Sequence, residues 1–403
     1  MRNRWRTAVL ILLAGLGVSL PGWAAGDWIQ WYDYEDEVSV GTVLVMESEY
    51  WLVGTNVVSM DPPEAGIVLF RVQEDGALLY PTSYNWGGVL SAADAIVMPE
   101  GNVLFAGRTN LYGAVGSDMY MLQTDSSGQT LSEWVFGDVF DEFAVRIVLG
   151  SQGDYFVVGN QTNPEDFIAD AEAPGYGGLE HRSAPYVARV EPGGSPVWKE
   201  RYRSEENVLV FDAAPTTNGG CYVLSTVYGF PSADDSIRLD RIADTGTIMW
   251  TRRFDEGNSK GYGLHRLDGG WLLVAGARSA ADGGPLQALL MMLTATGQED
   301  WSRTFGDSEK ITVLHAVTGT HDGCFVAAGT QMADYALYRD DIYLLCVDAD
   351  GEVQWEKTVA TGKHVMVEAL VELDDGSFLI AGSGSSGDEP FKAMLVYVDP
   401  PGE

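Results

Sequence analysis

Positive charge is scarce in this chain. Against 58 Asp and Glu stand only 24 Lys and Arg, a formal net charge of −34 over 403 residues. Phosphate backbones are gripped by basic surfaces, so nucleic acid is a poor partner and is not expected. Cysteine is nearly absent, with three. A dense disulfide scaffold is therefore not what holds the fold, and a chain of this length can bury an adequate core without one. The five histidines, His181, His265, His315, His321 and His364, neighbour no plausible nucleophile in sequence. There is no Gly-x-Ser-x-Gly elbow, no His-Glu-x-x-His helix and no phosphate-cradling loop. No long segment has helical periodicity. Beyond residue 20 no apolar run is long enough to cross a bilayer. The acidity favours solubility, with attraction of cationic ligands as the sharper reading. An apolar content of 46% excludes a disordered acidic chain.

The one long apolar run lies at the start. Arg2, Arg4 and Arg6 precede apolar residues 8–20, then come Pro21 and Gly22-Trp23-Ala24. That is the layout of a secretory signal peptide. Residues 1–24 are read as the signal, and 25–403 as one exported domain, secreted or periplasmic in a bacterium. No stable membrane insertion is expected after cleavage, and a monomer is expected.

What is present in abundance is repetition. Seven apolar runs each end in a small residue: Gly54, Gly107, Gly159, Ser225, Gly276, Gly329 and Gly382. Most are spaced by about fifty residues, a period that marks a propeller or solenoid. The sixth copy shows the unit. A strand at 311–317 leads through the turn His321-Asp322-Gly323 to a second strand at 324–329. A third follows at 342–348, then the turn Asp348-Ala349-Asp350-Gly351, then a fourth at 353–359 bearing Trp355. Glycine supplies the positive φ of such turns, and the runs are rich in strand-forming residues. Four antiparallel strands per unit make a propeller blade. Trp198, Trp250, Trp301 and Trp134 recur behind equivalent turns, with Tyr80 in the first copy. They are read as inter-blade packing.

The last copy lacks its Trp strand. Trp28-Ile29-Gln30-Trp31-Tyr32-Asp33-Tyr34 supplies it at the other end, with Trp31 matched to Tyr80. The expected fold is thus all-β: a seven-bladed β-propeller of four-stranded antiparallel blades, its ring closed by residues 28–34 as the outer strand of blade 7. An insertion at 160–185 enlarges blade 3.

The Asp348-x-x-Gly351-x-x-x-Trp355 turn and strand, with the His321-Asp322-Gly323 turn and its following apolar strand, resemble the quinoprotein-like (PQQ-like) repeats and the delta-60-type repeats of exported bacterial propellers. The resemblance spans residues 28–399. It implies a propeller. The quinone-dependent dehydrogenases of that group have an adjacent Cys pair that is missing here, and no set of quinone or calcium ligands carries over. The lipoprotein scaffolds of the group have a lipid-attachment Cys and eight repeats, where this chain has neither.

Candidate sites fall in two places. Inner-strand residues Asp94, Glu142, Arg146, Asp212, His265, His315 and Glu368 are expected to line the channel. Carboxylates and imidazoles converging there could hold a metal or a cationic ligand. No cofactor is expected, and Ca2+ is the ion such a set could take. Loops on one rim carry Asn110, Tyr112, Phe167, Tyr176, Tyr228, Phe230, Tyr335 and Tyr338, and loops on a rigid scaffold are where binding evolves. The segment 348–352 resembles part of a calcium loop but reads as a tight turn. Cys324 and Cys346 either bridge across neighbouring strands or stay as buried thiols. The resulting expectation is an exported, non-catalytic binding or scaffold module for a protein, peptide or glycan. The alternative is an enzyme with a channel-mouth site: a lyase, hydrolase or quinone-linked oxidoreductase.

Overall fold

The computed structural model describes residues 26–401, apart from 35, 112–115, 168–180, 230–233, 255–257, 281–283, 335–338 and 388. The expected signal segment, residues 1–24, lies outside the described residues. The described chain is all-β, with no α-helix and one short 3-10 turn at Asp268–Gly270.

The strands form successive antiparallel sheets. Five have four strands in sequence order, beginning at Glu37–Val45, Leu90–Val97, Asp141–Leu149, Asn207–Pro215 and Ser259–Arg266. A sixth has seven strands. Its size comes from one long strand, Val353–Glu372. The first part pairs with Arg339–Val347, and the part from His364 pairs with Phe378–Ser385. Two four-stranded units therefore share one strand. The second unit is completed from the other end of the chain, where Trp28–Tyr32 pairs with Lys392–Val398.

The small residue that ends each apolar run has a steric cause. Every inner strand carries a β-bulge opposite it, for example between Val40 and Thr42, facing Gly54. The bulge turns a carbonyl toward the partner strand. A Cβ on Gly54, Gly107, Gly159, Gly276, Gly329 or Gly382 would overlap such a carbonyl. Ser225 fills the seventh position.

Neighbouring sheets pack face to face through apolar clusters. Trp51, Leu69 and Phe105 join the first sheet to the second. Tyr32, Val38, Leu52, Ala381 and Leu395 join the last unit to the first. Full burial of side chains of this size contributes roughly 1.5–3 kcal/mol each. The tryptophans lie on the turn glycine of the next unit, as Trp198 does on Gly246 and Trp301 on Gly351. Trp198 Nε1 donates to the Asp244 carbonyl at 2.7 Å. Four residues on, Tyr202 donates to the Gly246 carbonyl at 2.8 Å. At the N-terminal strand Trp28 lies against Gly76, and Tyr32 donates to the Gly76 carbonyl at 2.9 Å. The repeat register therefore runs through Trp28, not Trp31. Trp31 instead lies under the Lys363 ammonium, 4.9 Å from its ring centre.

Candidate active site

The bulges do more than accommodate glycine. Their unpaired residues stand at one equivalent position in all seven inner strands: Gly41, Ala93, Val145, Phe211, Tyr262, His315 and Glu368. Five of them, Gly41, Ala93, Val145, Phe211 and Glu368, line one cavity of about 310 Å³. The small side chains on the first three strands leave this space open. Rings occupy the next part of the series: Phe211 meets Tyr262 edge-on at 4.9 Å, and Tyr262 stacks on His315 at 5.0 Å.

The charged residues that line the cavity are Arg108, Arg146 and Glu368. Arg146 donates through Nε to Asp212 Oδ1 at 2.7 Å and pairs through Nη1 with Asp94 Oδ1 at 3.5 Å. Both aspartates also fasten the neighbouring inner strand. Asp94 accepts the Ile147 N–H at 3.0 Å, and Asp212 accepts the Leu264 N–H at 2.7 Å. Burial pushes the Asp94 carboxyl above its usual range, opposed by Arg146 and the Ile147 N–H. Burial also disfavours the Arg146 cation, but Asp212 and Asp94 outweigh it and hold the guanidinium charged. Arg146 Nη2 hydrogen-bonds to no described residue.

Glu368 has a different setting. Its carboxyl makes no hydrogen bond to a described residue. Burial pushes its pKa up to about 7, although Arg146 pulls the other way. A carboxyl that changes protonation near neutrality, in a cavity beside a fixed cation, is suited to proton transfer. His315 is driven by burial down to about 4, so it is neutral at pH 7. Burial lowers His265 as well, against Asp212.

Of the residues expected in the channel, Arg146 and Glu368 line the cavity, Asp94 and Asp212 hold Arg146 in place, and His315 extends the aromatic series. His265 lies within the electrostatic reach of Asp212. Glu142 lies elsewhere. It sits three residues before the bulge of its strand and accepts from Gln161 Nε2 at 2.5 Å and from the Asp138 N–H at 3.1 Å. Burial pushes it up to about 7, and Asp118 and Asp138 add to the rise. Of the aromatic rim residues, only Tyr228 has a described side chain; it lies under the Lys260 ammonium at 5.5 Å. Tyr112, Tyr176, Phe230, Tyr335 and Tyr338 lie outside the described residues, as does the Phe167 side chain. Asn110 accepts the Val89 N–H at 2.8 Å. The insertion at 160–185 begins and ends as strand, with Asn160 opposite Pro185 and Thr162 opposite Ser183.

Two further expectations concern metals and thiols. Among the described residues no group of three or more His, Cys, Asp or Glu side chains is placed to hold a metal ion. Asp348 Oδ1 accepts the N–H groups of Asp350 and Glu352 at 3.0 and 2.9 Å, which makes 348–352 a closed turn. All three cysteines are free thiols, and Cys324 and Cys346 lie within hydrogen-bonding reach of each other.

Sequence reasoning missed Arg108, Phe211 and Tyr262. The signal for Arg108 was available. It follows the small residue Gly107, a position filled elsewhere by Thr55, Asn160, Thr226, Ala277, Thr330 and Ser383. At four of these positions the side chain fastens the next inner strand. Thr55 Oγ1 accepts the Ala92 N–H at 3.1 Å, Asn160 the Val210 N–H at 3.0 Å, Thr226 the Gly261 N–H at 3.2 Å and Ser383 the Val40 N–H at 2.8 Å. Arg108 makes no such bond and is an exposed wall of the cavity.

No family model matches the chain, and no curated protein matches it. Solved structures do. The acylaminoacyl peptidase of Pyrococcus horikoshii aligns at 11% identity with a TM-score of 0.50, over 89% of this chain and 51% of its own. A puromycin hydrolase aligns at 14% identity with a TM-score of 0.52, over 92% of this chain and 54% of its own. The chain spans about half the length of both. The β-propeller domain of the Trilobed protease of Pyrococcus furiosus, described as having an open velcro topology, aligns at 10% identity and a TM-score of 0.49, over 92% and 95%. The four-stranded antiparallel sheets and these neighbours define the class: this is a β-propeller.

Identities this low carry the fold alone. They nevertheless overturn one expectation. The sequence led us to a non-catalytic binding or scaffold module, yet solved structures that share the shape are named as a peptidase and a hydrolase. The enzymatic alternative is the better supported. The expectation rested on the lack of a local motif, and the carboxyl and guanidinium groups that line the cavity come from different units.

Proposed function

We propose that this chain is a hydrolase whose site is the cavity at the bulge positions. The observation that carries the reading is Glu368, an unpartnered carboxyl of pKa about 7 in a cavity it shares with Arg146. In this reading the Glu368 carboxylate takes a proton from water as the water oxygen attacks an amide or ester carbonyl. Arg146 Nη2 is the donor available to the oxyanion that forms. The bond to the leaving nitrogen or oxygen then breaks, and Glu368 returns the proton to it. General acid–base catalysis of this kind contributes roughly 10²–10⁴-fold. Asp94 and Asp212 hold Arg146 in position. Peptidase and hydrolase relatives of this shape favour hydrolysis over the other chemistries weighed.

The scaffold we infer is seven blades in a closed ring, exported and monomeric. The cluster shared by the last and first units and the pairing of Trp28–Tyr32 with Lys392–Val398 support it. The Trp-bearing turns keep their resemblance to quinoprotein-like repeats, with no quinone chemistry implied.

The test is hydrolysis of a panel of N-acyl amino acids, dipeptides and simple esters by the wild type and Glu368→Gln. We expect turnover that rises with pH through about 7 and falls roughly 100-fold or more in the variant. No turnover of the panel by the wild type, or equal rates in both proteins, would overturn the proposal.

A further inference from the structure

We infer that the cavity recognises a free carboxylate on its ligand and that Arg108 is the residue that binds it. The inference rests on the proposed hydrolytic reading only for which bond is cut. The substrate class it names is an amide that ends in a carboxylate, such as an N-acyl amino acid or the C-terminal residue of a peptide.

Arg108 interrupts a structural pattern. Where Thr55, Asn160, Thr226 and Ser383 fasten the next inner strand, Arg108 has a side chain too long and of the wrong polarity to accept an N–H. The chain has given up a strand-to-strand bond at that junction. What stands there instead is an exposed guanidinium on the cavity wall that pairs with no described carboxylate, in a protein with 58 acidic residues. An arginine left unpaired amid so much negative charge is free for a ligand, and its planar fork matches a carboxylate.

The other charges of the cavity agree. Asp94 and Asp212 spend their oxygens on Arg146 and on backbone N–H groups. Glu368 is protonated over much of the neutral range. His315 is neutral. A cationic ligand would meet two guanidinium groups. A carboxylate would meet the unpaired one, while Arg146 and Glu368 stay available for the adjoining amide. Ser39 and Ser91 supply hydroxyls nearby, and Phe211 supplies an apolar wall. A space of about 310 Å³ sits at the small end of ligand sites and fits one acylated residue.

The experiment compares N-acetylphenylalanine with N-acetylphenylalaninamide by calorimetric titration against the wild type, Arg108→Thr and Arg108→Lys. Threonine is the residue that three other units place there, so Arg108→Thr is expected to fold. The wild type should bind the acid at least roughly tenfold more tightly than the amide, Arg108→Thr should lose that preference, and Arg108→Lys should keep part of it. Equal affinity for acid and amide in the wild type, no binding of the acid up to ~10 mM, or an undiminished preference in Arg108→Thr would each overturn the inference. Acetate release is followed in the same samples. Arg108-dependent binding without cleavage sinks the hydrolytic reading and leaves carboxylate recognition standing. Cleavage that ignores the carboxylate does the reverse.

Discussion

The protonation of Glu368 makes a stability prediction that needs no substrate. Its pKa is about 7 in the folded protein against an ordinary 4.5. The folded state therefore holds this proton more tightly than the unfolded chain does. Stability from this group is fully present below about pH 4.5 and is lost as pH rises through about 7. Each pH unit inside that window changes stability by up to about 1.4 kcal/mol, so the total is about 3 kcal/mol. Glu368→Gln replaces the carboxyl with a neutral group of the same size and removes the dependence. Near pH 4.5 variant and wild type should be similarly stable, and above pH 7 the variant should be the more stable by about 3 kcal/mol. Glu142 titrates over the same range with the same sign, but both proteins contain it and it cancels in the difference. Urea unfolding of both proteins at several pH values measures that difference directly. A gap that stays constant from about pH 4.5 to about pH 8 would refute the buried, titrating Glu368 on which the proposed chemistry depends.

Other predictions concern the scaffold. Lys357 reaches both ends of the chain, pairing with Asp27 Oδ2 at 2.6 Å and donating to the Asp399 carbonyl at 2.8 Å. Lys357→Met strands a buried carboxylate and should cost about 3 kcal/mol in urea unfolding; a loss below about 1 kcal/mol would show that the ends are held without it. Ser383→Ala leaves the buried Val40 N–H without its acceptor and should cost about 1–3 kcal/mol. Equal stability would mean that the last and first units do not depend on that bond. Arg108→Thr restores the fastening hydroxyl and should gain about 1 kcal/mol while losing ligand, and a clear loss of melting temperature would count against the pattern.

Much of the fold could be read from the sequence because its cause repeats. The bulge carbonyl forces a small residue at Gly54 and its counterparts, and the turn glycine forces an aromatic companion such as Trp198 against Gly246. Each constraint is local, so each leaves a mark at a fixed spacing. The register of the N-terminal strand was harder. Trp28 and Trp31 both fit the period, and the contact of Trp28 with Gly76 together with the Tyr32 bond to the Gly76 carbonyl selects Trp28. The large strand Val353–Glu372 was not anticipated: the expected strand ends at 359, and the pairing that carries it on runs through Ala360 and Lys363.

The site was legible only in part, for a physical reason. Its members share a position in the repeat but belong to different strands, so spacing along the chain says nothing about their contact. Asp94, Arg146 and Asp212 looked alike as inner-strand charges, yet two serve mainly to hold the third. Glu142 looked equivalent and is not, because it stands before its bulge, where side chains meet the neighbouring loop. The discriminating feature is position relative to the bulge. At the bulge itself the chain is free of pairing, and five of these residues line the cavity. Gly41, Ala93 and Val145 keep it open and Glu368 brings a carboxyl to it. Arg108 departs from the repeat one strand further out, at a position where six other residues are small or can accept a hydrogen bond. In a repeat scaffold, a charged side chain that stands where counterparts fasten the next strand is under a demand the repeat does not impose. By that measure Arg108 stands apart from the tryptophans, which obey the repeat.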